Sequence, residues 1–236
     1  MCFSAEVSFA SAAVLLPAGT FAMLKAYRKD IRYLPFATLP LLFGLQQFFE
    51  GMVWTGGRVA DPAWVERFSL AYMFFSWLAW PVWVPYSTYF LEPCDRRHIY
   101  LLLAILGGML GALQYVPYFA HDGWLVTKFL DHAISYQGTH LLDLVVRYEF
   151  TYLLYVFVII APLVTSSVKN VNIFGYLVAL VLLVTFVFFK FAYISVFCFG
   201  GGIMSLFIVY MISRNDQKLP AHHNVRVVRE EMRGVS

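Results

Sequence analysis

Between Val171 and Ser213 the chain runs for 43 residues with a single charge, Lys190, and no strong turn signal before Gly200-Gly201-Gly202. As one helix rising 1.5 Å per residue it would measure roughly 64 Å, about twice the ~30 Å hydrocarbon thickness of a bilayer. The run must therefore fold back on itself, and Lys190 is the natural place. Similar apolar runs recur along the chain, giving seven candidate spans at about 5–25, 34–55, 68–91, 99–119, 149–167, 171–190 and 193–213. Overall 61% of residues are apolar and only 13% charged, against roughly 25% charged in soluble domains. No soluble fold of 236 residues has an interior that could hide so much apolar surface. The reading is an all-α polytopic membrane protein, a seven-transmembrane-helix bundle over residues 1–213 with a basic tail over 214–236.

Lysine and arginine set the expected orientation. With the amino terminus outside, twelve of them, including Lys25, Arg28, Arg96, Arg97, Lys169 and Arg214, fall on the cytoplasmic side. Five (Arg58, Arg67, Lys128, Arg147 and Lys190) fall outside, the bias of the positive-inside rule. The net charge of +3 then reports topology, and no nucleic-acid partner is expected. The opening MCFSAEVSF lacks a basic leader region and continues as the first span, so insertion without cleavage is expected. Leu125, Phe129, Leu141 and Val145 in the long connection 121–147 suggest interfacial helical pieces. In the tail, Val225, Val228 and Met232 set against Arg226, Arg229 and Arg233 suggest a surface segment at an anionic leaflet.

The stretch FGLQQFFEGMVW places three polar side chains inside the second span. Counted from Leu34, Glu50 stands 16 residues on, about 24 Å along the axis. Gln46 lies one turn below it on the same face. The first span brings Cys2, Ser4, Glu6, Ser8 and Ser11 to the same outer level, and the seventh brings Lys190, Ser195 and Cys198. A charge in hydrocarbon costs about 2.5 to 3.5 kcal/mol even on lenient scales, so Glu50 needs a partner. Lys190 is the first choice, with Arg58 and Arg147 as alternatives. The competing account makes Glu50 a helix-end carboxylate and the glutamines interhelical glue.

Other motifs weigh less. Cys2 and Cys198 share the outer half, where an oxidising compartment would allow a bridge, although buried free thiols are commoner. Haem is not expected, because bundle ligation needs histidines on facing helices and none stands in mid-span. His132, His140 and Asp143 are proper zinc ligands but match no compact metal signature. In FFSWLAWPVWVPY, Pro81 and Pro85 should bend the third span, and Trp77, Trp80 and Trp83 offer either packing or a seat for a flat apolar ligand. AILGGMLGA in the fourth span is a small-xxx-small stripe, for packing in the bundle or between protomers of a homo-oligomer. The glycine triplet at 200–202 reads as a packing notch or a flexible break.

The blocks MCFSAEVSF, FGLQQFFEGMVW, WPVWVPYSTYFLEPCDRR, SYQ and YISVFCF resemble an uncharacterised bacterial family of multi-span membrane proteins that open with MCFSA. The resemblance covers nearly the whole chain. It implies a shared helical membrane fold in the bacterial cytoplasmic membrane and carries no established activity; where the family block reads SVWCF, this chain has Phe197. The leading functional expectation is a small molecule or ion bound in an outward-facing pocket, for transport or sensing. Its expected ligands are Glu50, Gln46, Gln47, Lys190, Cys198, Cys2, Ser4 and Glu6. The rivals are a membrane-embedded thiol or zinc enzyme acting on a lipid or thiol at the outer interface, and a structural or assembly subunit.

Overall fold

A computed structural model describes residues 4–121, 123–130, 133–138, 148–188 and 193–214. Cys2, Lys190, His132, His140, Asp143, Arg147 and the basic tail lie outside these residues. The described chain is predominantly helical. Four helices are long and apolar enough to cross a membrane by length and composition: α1 (Ala5–Lys29), α6 (Arg97–Ala120), α8 (Lys169–Phe188), and α9 (Tyr193–Arg214) over Ile194–Arg214. A shorter apolar stretch, Phe150–Val164, makes up most of α7 (Tyr148–Val164). Between α1 and α6 come a short helix α2 (Leu34–Ala37), α3 (Leu39–Arg58), α4 (Pro62–Met73), a π-helical segment Phe74–Ala79 and α5 (Trp80–Tyr89). The last three run on as one rod, the third of the bundle after α1 and α3. As expected, the long apolar run folds back on itself, since Gly200 of α9 packs on Val181 of α8; Lys190 falls between the two helices, outside the described residues.

Helix termini follow from local chemistry. The Asp61 carboxylate accepts the Trp64 N–H at 3.0 Å and caps α4, whose first residue is Pro62. At the far end of α1, Asp30 accepts the Arg32 N–H at 3.0 Å and grips its guanidinium at 2.7 Å. That hydrogen-bonded guanidinium holds the Asp30 carboxyl below its ordinary range. A depressed native value stabilises the fold fully above the unfolded value of about 3.9, and the contribution fades as pH falls through the native value. The melting-temperature gap between wild type and Asp30→Asn should therefore be largest near neutrality and close towards pH 2.

The connection after α6 departs from expectation. Where Leu125 and Phe129 suggested a helical piece, it holds an antiparallel hairpin, β1 (Leu125–Leu130) with β2 (Ala133–Gly138), in register from Leu125↔Gly138 to Leu130↔Ala133; Leu141 and Val145 lie outside the described residues. The reason lies in its period: Ile134 and Tyr136 point inward, Gln137 points to solvent, and β-branched and aromatic residues suit a half-buried strand. A hairpin alone is marginal in water. This one docks through Thr127 on Ser69 (2.8 Å) and through Phe129 beside Trp54 (5.7 Å between ring centroids).

Close packing fixes the rods. The small-residue stripe of α6 is spent within the chain: a methyl group at Gly111 would stand 2.6 Å from the Trp77 carbonyl oxygen, and one at Gly107 would strike the Pro81 carbonyl. The glycine triplet interrupts nothing, since α9 is continuous and Gly201 accepts the Phe43 ring. Of the two expected uses, it is the notch. Beyond the third rod, the buried Glu92 carboxylate accepts both Ser166 Oγ and Ser167 Oγ at 2.5 Å and the Ser167 N–H at 2.9 Å. It clamps the end of the third rod to the segment ahead of α8.

Candidate functional site

The polar face of α3 is buried: Gln46, Gln47 and Glu50 are all 2% exposed or less. Gln46 is fully satisfied. Its Nε2 donates to Ser76 Oγ at 2.9 Å and to Cys198 Sγ at 3.2 Å, while its Oε1 accepts from Trp80 Nε1 at 3.0 Å. One amide thus ties α3 to the third rod and to α9. Phe43 stacks on Trp80, with ring centroids 4.1 Å apart, and holds the indole in place.

Glu50 is treated differently. Oε2 accepts from Gln47 Nε2 at 3.2 Å, and Oε1 accepts from the Ser195 hydroxyl. Both donors are neutral. Among the described residues no cation pairs with Glu50, because Arg58, one of its expected partners, is bound to Glu6 at 2.6 and 2.9 Å on the exposed surface. Lys190 and Arg147 lie outside the described residues. Around the carboxylate, Gln47 Oε1 and Tyr136 Oη are buried without hydrogen-bond partners among the described residues, while the Tyr72 hydroxyl lies against the Cys198 thiol. Both tyrosines sit near enough to feel the Glu50 charge, and their rings stack with centroids 4.9 Å apart. Each unmet buried group costs about 1–3 kcal/mol, so the carboxylate stands beside hydrogen-bonding capacity that the described side chains leave unused.

The π-helical turn supplies the remaining wall. Trp80 N–H reaches back five residues to the Phe75 carbonyl. The next bond in that register would come from residue 81, where proline has no N–H, so the Ser76 carbonyl is released. Tyr155 of α7 donates its hydroxyl to that carbonyl. The bend expected from Pro81 is thus a widened turn, a feature often found at functional sites. Tyr155→Phe should lower stability by about 1–3 kcal/mol by orphaning the carbonyl, measured as the thermal midpoint of the purified protein.

The expected site residues divide into three groups. Gln46, Gln47, Glu50 and Cys198 come together. Glu6 and Ser4 do not: Glu6 is turned to Arg58, and the first helix is replaced in the cluster by the third rod. The reason is that Glu6 and Arg58 are both exposed, where a bidentate pair forms without a desolvation penalty. Cys2 and Lys190, with the metal candidates His132, His140 and Asp143, are outside the described residues, among which no metal-binding cluster occurs. Cys198 is a buried free thiol, so the bridge to Cys2 is not formed. Ser76, Tyr72 and Tyr136 were not singled out from sequence, though Tyr136 lies in the SYQ block and the alternation of β2 was a usable signal.

Helices apolar enough to span a bilayer, enclosing a buried carboxylate and amides, define a helical membrane protein with an internal polar site. The model of a family of unknown function, DUF6629, matches residues 1–223, and the chain belongs to that family. No curated protein and no solved structure matches it.

Proposed function

We propose that the chain is a seven-span protein of a bacterial cytoplasmic membrane, amino terminus outside, that binds a small cation or a cation-bearing molecule at Glu50 for transport or sensing. In this topology the third span is the rod α4 to α5, and Glu50, Ser195 and Cys198 share the outer half. The observation that carries the reading is a carboxylate buried among neutral donors, next to an unmet Gln47 carbonyl and an unmet Tyr136 hydroxyl. The carboxylate, the Gln47 carbonyl and the Ser195 and Tyr136 hydroxyls are hard oxygen groups of the kind that suit a hard cation, and a single carboxylate balances a single positive charge.

The test is a thermal titration of the full chain in lipid nanodiscs with lithium, sodium, potassium and methylammonium chlorides at constant ionic strength. A ligand at a hundred times its Kd stabilises by about 2.7 kcal/mol. The expected result is a saturable rise in midpoint with at least one of the four and its disappearance in Glu50→Gln. No response to any of them, or a response that survives Glu50→Gln, overturns the proposal.

A further inference from the structure

A second feature lies behind the Cys198 wall. The π-helical segment, α6, α7, α8 and α9 line a pocket that is open on one side, with about 60 Å³ at its inner end, room there for several water-sized groups at about 10–15 Å³ each. Most of its lining is apolar or aromatic, including Trp77, Val156, Ile159, Leu182, Ile194 and Phe197, and none of it is charged. An ion is therefore not its guest. Besides the Tyr152 and Tyr155 rings, four neutral polar side chains interrupt the wall: Ser76, Gln114, Thr151 and Thr185. All four are nine-tenths or more buried. Gln114 Oε1 has no hydrogen-bond partner among the described residues.

An amide oxygen is an acceptor only, so what completes it is a donor. The surrounding rings and aliphatic chains exclude a strongly hydrated one. We infer that this cavity is a second binding site, separate from Glu50, for a small hydroxyl-bearing molecule of the phenol type that partitions into the membrane. Its O–H is donated to Gln114 Oε1, and its body lies among Trp77, Ile159, Leu182 and Phe197. Pockets of this composition, apolar with a few placed polar groups, are the usual form of small-molecule sites. Cys198 belongs to both places, because its sulfur receives the Gln46 amide on one side and lines the cavity on the other.

The test compares p-cresol with 4-methylanisole, which has the same ring but no donor, by thermal titration of the full chain in nanodiscs. The expected result is an apparent affinity at least tenfold tighter for p-cresol, lost in Gln114→Met, where both probes bind alike. Glu50→Gln should leave the preference unchanged, so failure at the cation site and failure here are told apart. Should Gln114→Met not fold, the wild-type protein still decides: p-cresol at saturation should slow N-ethylmaleimide alkylation of Cys198 at least fivefold, while the exposed Cys94 reacts unchanged. Equal affinities in wild type, a preference that survives Gln114→Met, or an unaltered Cys198 rate overturns the inference.

Discussion

Glu50→Gln should yield a protein that purifies and melts within about 1 kcal/mol of wild type yet no longer responds to cations. The amide keeps an oxygen for the Ser195 hydroxyl and occupies the same volume, so the packing between α3 and α9 survives. What disappears is the formal charge, and with it the stabilisation of about 2–3 kcal/mol that a saturating cation supplies. Glu50→Leu is the contrasting variant. It leaves the Ser195 hydroxyl and the Gln47 amide buried without an acceptor, which should cost about 2–4 kcal/mol regardless of salt. A Glu50→Gln protein as unstable as Glu50→Leu would mean that the charge serves the fold, not a guest.

The largest loss of stability is expected at Glu92→Ala. The carboxylate takes three donors from Ser166 and Ser167, and it also favours the start of α8, where helical N–H groups present partial positive charge. Truncation leaves buried donors with nothing to accept them, at about 3 kcal/mol or more. For a chain of this length that is a fall of roughly 6–12 °C in melting temperature. Glu92→Gln, which retains one acceptor oxygen, should fall by about half as much. A shift under 2 °C in Glu92→Ala would show that the clamp is dispensable.

The contrast between Glu50 and Glu92 explains what the sequence made legible. Counting residues from the end of a span placed Glu50 and Gln46 one turn apart at the level of Cys198, because helical rise and period are fixed properties of the backbone. The same arithmetic could not see Glu92, whose burial depends on Ser166 and Ser167 arriving from a connection 74 residues later. It also misassigned Glu6, since depth says nothing about which way a side chain at the helix end turns. Ser76 was hidden among aromatic neighbours, and only the proline five residues on marks its carbonyl as available. The hairpin was missed because Leu125 and Phe129 are spaced like a helix face, while the alternation that marks the strand runs through Ile134 and Tyr136.

The glycine seam between α5 and α6 has a mechanical corollary. With the Gly107 and Gly111 main chain laid directly on the Pro81 and Trp77 carbonyls, and only short contacts from Leu78 and Val82 filling in beside them, the two rods have little freedom to slide apart. On the opposite wall, α7 and α8 meet near Thr151 and Thr185 through rings such as Tyr152 and Phe186, 6.5 Å apart, which can swing. A guest entering the pocket is therefore expected to part α7 from α8 sooner than it parts α5 from α6.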